Sequence, residues 1–336
     1  MRSSKHRILF SLLISFLLLP NDVCADRYSD SLSAEIAAAD GVEQIDMMNN
    51  LAEYSRFFSV DTMRILSREA YAVSIKMGYL KGQAHSCSNM ATAFHKSSNI
   101  DSAVYYYNRA IDLYNMDENP IGVAKTYRIY ADMFLDKYQY ANAIQKYFSS
   151  LDIYHSLNDN ENSAILYSQI GWLFRLVNDF DTARKYILKG ISFLRTCTNS
   201  KELAEAHIRF ALILSSNKEF DLALQHLKEA EQVAIQSNNI EVLIRVNQTI
   251  GICYLDKKEF EQAINYYKDA INIAYKQNLI IHIGDIYTLI AHVYGKKDNF
   301  EKSFTYNFKA LNIRKEFGDN SLVSSSMTNI AGLYIK

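Results

Sequence analysis

Helix breakers are scarce in this chain. Its 336 residues include two prolines and 11 glycines. A chain so poor in both can run as long helices with little interruption, and an all-α fold follows. Cysteine is scarce as well, at four residues. One of these, Cys24, falls within the N-terminal leader-like segment. The other three, Cys87, Cys197 and Cys253, are odd in number and far apart, which excludes a disulfide framework. The fold has to be held by its core instead. Excess charge is missing too: 36 basic residues face 37 acidic ones, with no basic run. That balance argues against nucleic acid as a partner.

The motifs of common enzymes are also absent. There is no HExxH, no phosphate-binding P-loop and no glycine-rich dinucleotide fingerprint. Ser215 and Lys218 give an SxxK match, but it sits in a turn and lacks companion motifs. His282 and Asp285 have a spacing compatible with metal, and a chance surface pair explains them as well. The expectation is a non-catalytic protein with no cofactor and no metal ligands.

Only one apolar run approaches membrane length, and it lies at the N-terminus. Basic MRSSKHR precedes ILFSLLISFLLL (8–19), Pro20 ends the run, and Val23-Cys24-Ala25 supplies small residues around a cleavage point. That is the pattern of a secretory signal peptide over residues 1–25. A twelve-residue run is short for a bilayer span. Export to the periplasm or outside is expected after cleavage near Ala25, with a retained N-terminal anchor as the alternative.

What the chain has in abundance is repetition. NKEFDLALQHLKEA (217–230) and KKEFEQAINYYKDA (257–270) align without gaps at a step of 40 residues. The same step joins NDFDTARKYILKG (178–190) to KDNFEKSFTYNFKA (297–310) through them. An aromatic or apolar residue opens the second helix of each unit, as at Phe180, Phe220 and Phe260. A small residue follows three positions on (Ala183, Ala223, Ala263) and another seven further (Gly190, Ala230, Ala270). Small residues seven apart share one helix face and admit a close neighbour. The first helix repeats a small residue followed by a large one, as in Gly251 with Tyr254 and Ala291 with Tyr294. Gly78, Asn158, Asn238, Asn278 and Gly318 stand at one position as left-handed helix stops. Glu118 and Thr198 break that rule, and Pro120 and Asn199-Ser200 are expected to end the helices there instead.

The pattern resembles the tetratricopeptide repeat (TPR), a helix–turn–helix unit. Ile250-Gly251, Tyr254, Phe260, Ala263, Tyr267 and Ala270 reproduce its signature. The unit here has 40 residues rather than the usual 34 and lacks the terminal Pro. It resembles the long-repeat group found in adaptor proteins and in exported sensory regions of bacterial receptors. The resemblance implies an α-solenoid, a superhelix of antiparallel helix pairs, with seven full units and a half unit. Units start near 44, 84, 124, 164, 204, 244, 284 and 324, and residues 26–43 form an N-terminal helical cap. SMTNIAGLYIK (326–336) occupies the slots of a first helix, which suggests a chain continuing beyond Lys336.

The resemblance also implies a partner. TPR arrays bind a protein or peptide segment on the concave face lined by the first helices. Counted from the small residues, that face takes Lys125, Arg128, Trp172, Arg175, Arg245 and Gln248, together with Asp285 and Thr288. A basic strip beside the only Trp suits an acidic side chain or a free carboxylate. Two roles follow: an exported peptide-binding scaffold, or the sensory part of a membrane-bound signalling receptor, histidine kinase or transcriptional regulator.

Overall fold

The computed structural model describes residues 36, 38–56, 59–316 and 320–334. The leader 1–25, the start of the expected cap and Gly318 lie outside them. The described residues form fifteen α-helices and no strand. The helices are α1 (Gly41–Ser55), α2 (Val60–Met77), α3 (Leu80–Lys96), α4 (Ile100–Met116) and α5 (Pro120–Asp136). Next come α6 (Tyr140–Ser156), α7 (Asn160–Leu176), α8 (Phe180–Leu194), α9 (Ser200–Ser216) and α10 (Phe220–Gln236). The run ends with α11 (Ile240–Asp256), α12 (Phe260–Lys276), α13 (Ile280–Lys296), α14 (Phe300–Glu316) and α15 (Asn320–Tyr334). The first helix of each pair thus begins about four residues ahead of the unit start read from the core pattern. Its capping residues precede the first apolar slot.

The chain divides into two compact units, 1–159 and 160–336. Each is a succession of helix pairs in which every helix packs on the next. In the first unit, Ile36, Ile45, Met48, Met63 and Leu66 form one buried cluster, and Tyr107, Leu113, Tyr130 and Met133 another. Gln44 donates from Nε2 to the Ile36 carbonyl at 3.0 Å, tying the expected cap segment to α1. In the second unit, Ile187, Leu194, Phe210, Leu214 and Leu227 form one cluster, and Ile264, Tyr267, Ile286, Ile290 and Val293 the other.

The repeat slots map onto this packing. Ala183, Ala223, Ala263 and Ala270 have no exposed surface, and Gly251 is buried. Phe180, Phe220 and Phe260, each the first residue of its helix, are half-buried, as are Tyr254 and Tyr294. These large residues of the first helices stack on an aromatic twelve positions later. Phe94 meets Tyr106 at 5.4 Å, Phe174 meets Tyr186 at 5.6 Å and Tyr254 meets Tyr266 at 5.4 Å. Tyr294 meets Tyr306 at 5.5 Å. Offset ring stacking adds to the burial term, and it accounts for many of the tyrosines. Ala331 in α15 is exposed, since among the described residues no helix packs over that face.

The backbone period is 20 residues, half the sequence period. Most helices have 17 residues and are joined by three-residue links. The middle link residue takes positive φ at Ser98, Glu118, Tyr138, Asn158, Asn178, Lys218, Asn238, Lys258, Asn278 and Asp298. A 6→1 hydrogen bond closes each turn, as from Asn99 N to the Phe94 carbonyl and from Gln139 N to the Phe134 carbonyl, both at 2.9 Å. This is the Schellman arrangement. The expectation for Glu118 is therefore corrected. It takes φ 51° like its counterparts, and Pro120 opens α5 rather than ending α4. A proline is well placed at a first helical position, where its missing N–H has no helical partner. Thr198 does depart: α8 stops at Leu194, two residues early.

Side chains cap the start of about half of the helices. Asn99, Asn119, Asp179, Asn199, Asn239 and Asn299 each accept a hydrogen bond from the backbone N–H three residues on. Such caps are worth about 1 kcal/mol each. Asp61, Asp101, Asp181, Asp221, Glu261 and Glu301 lie in first turns, where the helix dipole favours them. Among the described residues no helix is long and apolar enough to cross a membrane.

Candidate functional site

The sequence-derived concave residues fall into three places. Lys125 and Arg128 lie on α5 in the first unit, Lys125 exposed and Arg128 half-buried. Arg128 Nε is buried without a hydrogen-bond partner. Asp132, one turn along α5, accepts from the Tyr147 hydroxyl. Burial pushes the Asp132 carboxyl up, and the Tyr147 bond and the Arg128 charge pull against it.

Trp172 and Arg175 form a pair on α7 in the second unit. The Arg175 guanidinium stacks over the indole at 4.5 Å, and its Nε donates to Ser216 Oγ at 3.2 Å. Burial brings its pKa below the usual arginine value. This cation is already engaged by a ring and a hydroxyl, and Trp172 spends one face on it.

Arg245 and Gln248 lie one turn apart on α11 and line a groove of about 450 Å³. Thr249 and Ile252 complete the α11 wall. His282, Asp285, Thr288 and Leu289 come from α13, and Arg314 from α14. Neither Trp172 nor Arg175 lines this groove. Helical periodicity places the four α11 residues on one face, since they follow i, i+3, i+4 and i+7. Asp285, Thr288 and Leu289 repeat that spacing on α13.

The two groove cations have carboxylate partners. Arg245 Nη1 lies 2.7 Å from Glu205 Oε1, and Glu205 is nearly wholly buried on α9. The contact is an ion pair whose angles fall outside hydrogen-bond geometry, and both Glu205 oxygens lack a hydrogen-bond donor. Burial raises the Glu205 pKa, opposed by Arg245 and Arg209. Arg314 donates from Nη2 to Asp285 Oδ1 at 2.6 Å and from Nη1 to Ser326 Oγ at 2.6 Å. In the second unit, Arg245 and Arg314 are therefore each paired with a carboxylate at this face.

Arg245 keeps capacity for a ligand. Its side chain is about half exposed (48%) and a guanidinium has five N–H donors. Gln248 adds a donor and an acceptor, and Thr249 and Thr288, whose hydroxyls donate to the Arg245 and Gly284 carbonyls, add acceptors, while Ile252 and Leu289 supply apolar wall. Apolar wall with a few fixed polar groups is the usual chemistry of a binding groove.

Arg314 was not read from the sequence because it lies on a second helix, outside the stripe counted. A signal was present. Its slot holds Ser74, Tyr114, Tyr154, Leu194, Ala234 and Ala274 in earlier repeats, all buried, and Arg314 alone is charged. His282 and Asp285, noted for their spacing, and Asp285 also as a concave-face residue, both line the groove. Ser215 gives its hydroxyl to Asp256 Oδ2 at 2.8 Å, and Lys218 occupies the left-handed turn position, so the SxxK match has a structural explanation. Cys87 and Cys253 are buried and Cys197 is partly so, all as free thiols.

Comparison with known proteins bears on the same point. Residues 202–276 match the tetratricopeptide repeat family model, and residues 46–160 match the model of soluble NSF attachment protein, SNAP. No curated protein matches the chain by sequence. Among solved structures, the apo form of RapI superposes with TM-score 0.63 at 14% identity, over 82% of this chain and 100% of that one. The apo quorum sensor NprR from B. thuringiensis gives TM-score 0.63 at 16% identity, over 91% and 87%. A Rap protein complexed with competence and sporulation factor gives 0.58 at 13% identity, over 87% and 85%. Identities this low speak for the fold alone. The 40-residue sequence repeat, the paired helices and the matched family model converge: this chain carries tetratricopeptide repeats.

Proposed function

We propose that the chain is a non-catalytic scaffold that holds an extended protein or peptide segment along α11 and α13, and that it does so outside the cytoplasm. One observation carries the binding reading: a groove of about 450 Å³ with Arg245 half exposed at its edge and Gln248, Thr249 and Thr288 beside it. An extended backbone offers alternating N–H and C=O groups to the amide and hydroxyls. A carboxylate on the segment suits Arg245, which spends one edge on Glu205 and keeps its remaining donors. The solved NprR is described as a quorum sensor and the Rap complex holds a factor, and both share this fold.

Export rests on the leader pattern of residues 1–25. A second reading makes the same groove the sensory part of a membrane-bound receptor or regulator. It keeps the ligand and adds a signalling partner. We assign no catalytic residue and no cofactor.

The binding test is a peptide-display selection on the full chain. Selected sequences are expected to carry a carboxylate, and their Kd to weaken roughly tenfold in Arg245→Ala and in Gln248→Ala, about 1.4 kcal/mol each. Enriched peptides whose affinity ignores both substitutions, in variants with unchanged melting, would remove the groove as the site. Export is tested by N-terminal sequencing of the protein from fractionated cells. A first residue of Asp26 outside the cytoplasm is expected, and an uncleaved cytoplasmic chain beginning at Met1 would overturn it.

A further inference from the structure

The fifth helix pair, α9 and α10, departs from the fourth and seventh pairs at three positions that meet in space. In the fourth repeat these positions hold Tyr167, Tyr186 and Lys189. The rings lie 6.0 Å apart and the lysine sits 4.3 Å over Tyr167. In the seventh repeat they hold Tyr287, Tyr306 and Lys309, with rings 5.8 Å apart and the lysine 5.6 Å over Tyr287. In the fifth they hold His207, His226 and Glu229. Both aromatic slots become imidazoles and the cation becomes a carboxylate.

Three donor groups thereby converge. His207 Nδ1 and His226 Nδ1 are 3.0 Å apart. His226 Nδ1 is 3.9 Å from Glu229 Oε1, and His207 Nε2 is 3.5 Å from Glu229 Oε2. One candidate ligand atom from each residue can be chosen so that all lie within 4.8 Å of one another. Phe210 packs edge-on to the His226 ring at 4.7 Å, and Arg195 Nη2 holds the outer carboxylate oxygen at 2.7 Å.

We propose that His207 Nδ1, His226 Nδ1 and one oxygen of Glu229 form a binding site for a divalent transition-metal ion of the zinc class. Two imidazoles and a carboxylate are an established donor set for such ions, with a fourth position left to water. An ion about 2.0–2.1 Å from two nitrogens at tetrahedral angles holds them roughly 3.3 Å apart, so the rings need to part by only a few tenths of an ångström. Oε1 faces His226 and is the oxygen placed to bind, while Oε2 keeps Arg195 as its outer partner and is steadied by it. Imidazoles bind metal in the neutral form. Burial lowers the pKa of both histidines, that of His207 to about 4, so His207 stands neutral at pH 7. His207 is almost fully buried and Glu229 is one-third exposed, which leaves an approach from the carboxylate side. The bound ion would clamp α9 to α10 through one residue of α9 and two of α10.

The repeat supplies the control. His207→Tyr/His226→Tyr/Glu229→Lys restores the trio of the fourth and seventh repeats and is expected to fold. Glu229→Gln, on a partly exposed side chain, is a second variant with little structural risk. The tag-free full chain is stripped with chelator and titrated with Co²⁺ and with Zn²⁺. One Zn²⁺ per chain by calorimetry, visible d–d bands of low-coordinate Co²⁺, and a melting temperature raised by Zn²⁺ but not by Mg²⁺ are expected. Glu229→Gln is expected to weaken Zn²⁺ at least tenfold and the triple variant to abolish the Co²⁺ bands. A parent chain without the Co²⁺ spectrum would overturn the site, as would binding that persists unchanged in either variant.

Discussion

Gly190→Leu is expected to destabilise the protein by about 3 kcal/mol, the upper part of the range for overpacked cores. The cause lies in how closely α7 and α8 approach. A Cβ at Gly190 would stand 2.9 Å from the Ala164 carbonyl oxygen and 3.2 Å from Ser168 N, both backbone atoms of α7. The relation is reciprocal, since a Cβ at Gly171 would stand 2.9 Å from the Ala183 carbonyl oxygen and 3.0 Å from Ile187 N, on α8. Side chains can rotate away from an intruder, but a hydrogen-bonded helix backbone has to move as a body. The helix propensity gained on losing a glycine, up to ~1 kcal/mol, offsets only part of this. Trp172, the only tryptophan, lies on α7, so its fluorescence during denaturant unfolding reports on this pair. Gly332→Ala in α15 is the control. A Cβ there meets nothing within 4 Å, so the change is expected to be neutral or slightly stabilising. Equal midpoints for parent and Gly190→Leu would contradict the close approach.

That approach was legible in the sequence because the repeat states it seven times over. A small residue recurs at the positions of Ala183, Gly190, Ala223, Ala230, Ala263 and Ala270 for one physical reason, and the sum of instances exposes the reason. The 20-residue backbone period was not legible. Its left-handed link positions hold Ser98, Tyr138, Asn178, Lys218, Lys258 and Asp298, which share no residue type. The 6→1 hydrogen bond that holds them runs between backbone groups and leaves no trace in side-chain identity. Glu118 misled for the same reason: the turn imposes its φ, and the cost of a non-glycine there is tolerated.

The candidate site was legible by half. Arg245 and Gln248 follow from counting along a helix whose face is fixed by its small residues. Their environment does not, because Glu205 lies 40 residues upstream and only stacking of successive pairs brings it within 2.7 Å of Arg245. Arg314 and His226 escaped because both lie on second helices, which a concave-face count leaves out. A different reading of the same repeat finds them. Arg314 is charged where its counterparts are uncharged, and His226 is a histidine where Tyr106, Tyr186, Tyr266 and Tyr306 stand. In a repeat protein the shared residues describe the scaffold, and the exceptions are where other chemistry has room to reside.

Asp285→Ala is expected to cost about 3 kcal/mol, near the lower bound for breaking a buried ion pair. The Arg314 side chain is 6% exposed, and its Nε already lacks a partner. Removing Asp285 leaves the guanidinium, nearly buried at the wall of the groove, with Ser326 alone. The effect stays near the lower bound because Asp285 is itself half exposed and the pair is not wholly desolvated. Arg314→Met is expected to behave differently, within ~1 kcal/mol of the parent, since an unbranched apolar chain suits the slot and Asp285 can turn to water. Once Arg314 is Met, adding Asp285→Ala is expected to change little, which gives a coupling energy of about 2–3 kcal/mol in the double-mutant cycle. Additive costs, or an Asp285→Ala variant that melts with the parent, would mean the pair does not govern this end of the chain. The cycle also separates stability from binding. If Arg314 is kept for the groove rather than for the core, Arg314→Met retains the fold and weakens the selected peptides. The uncharged residues at its six counterparts show that packing alone does not require a cation there.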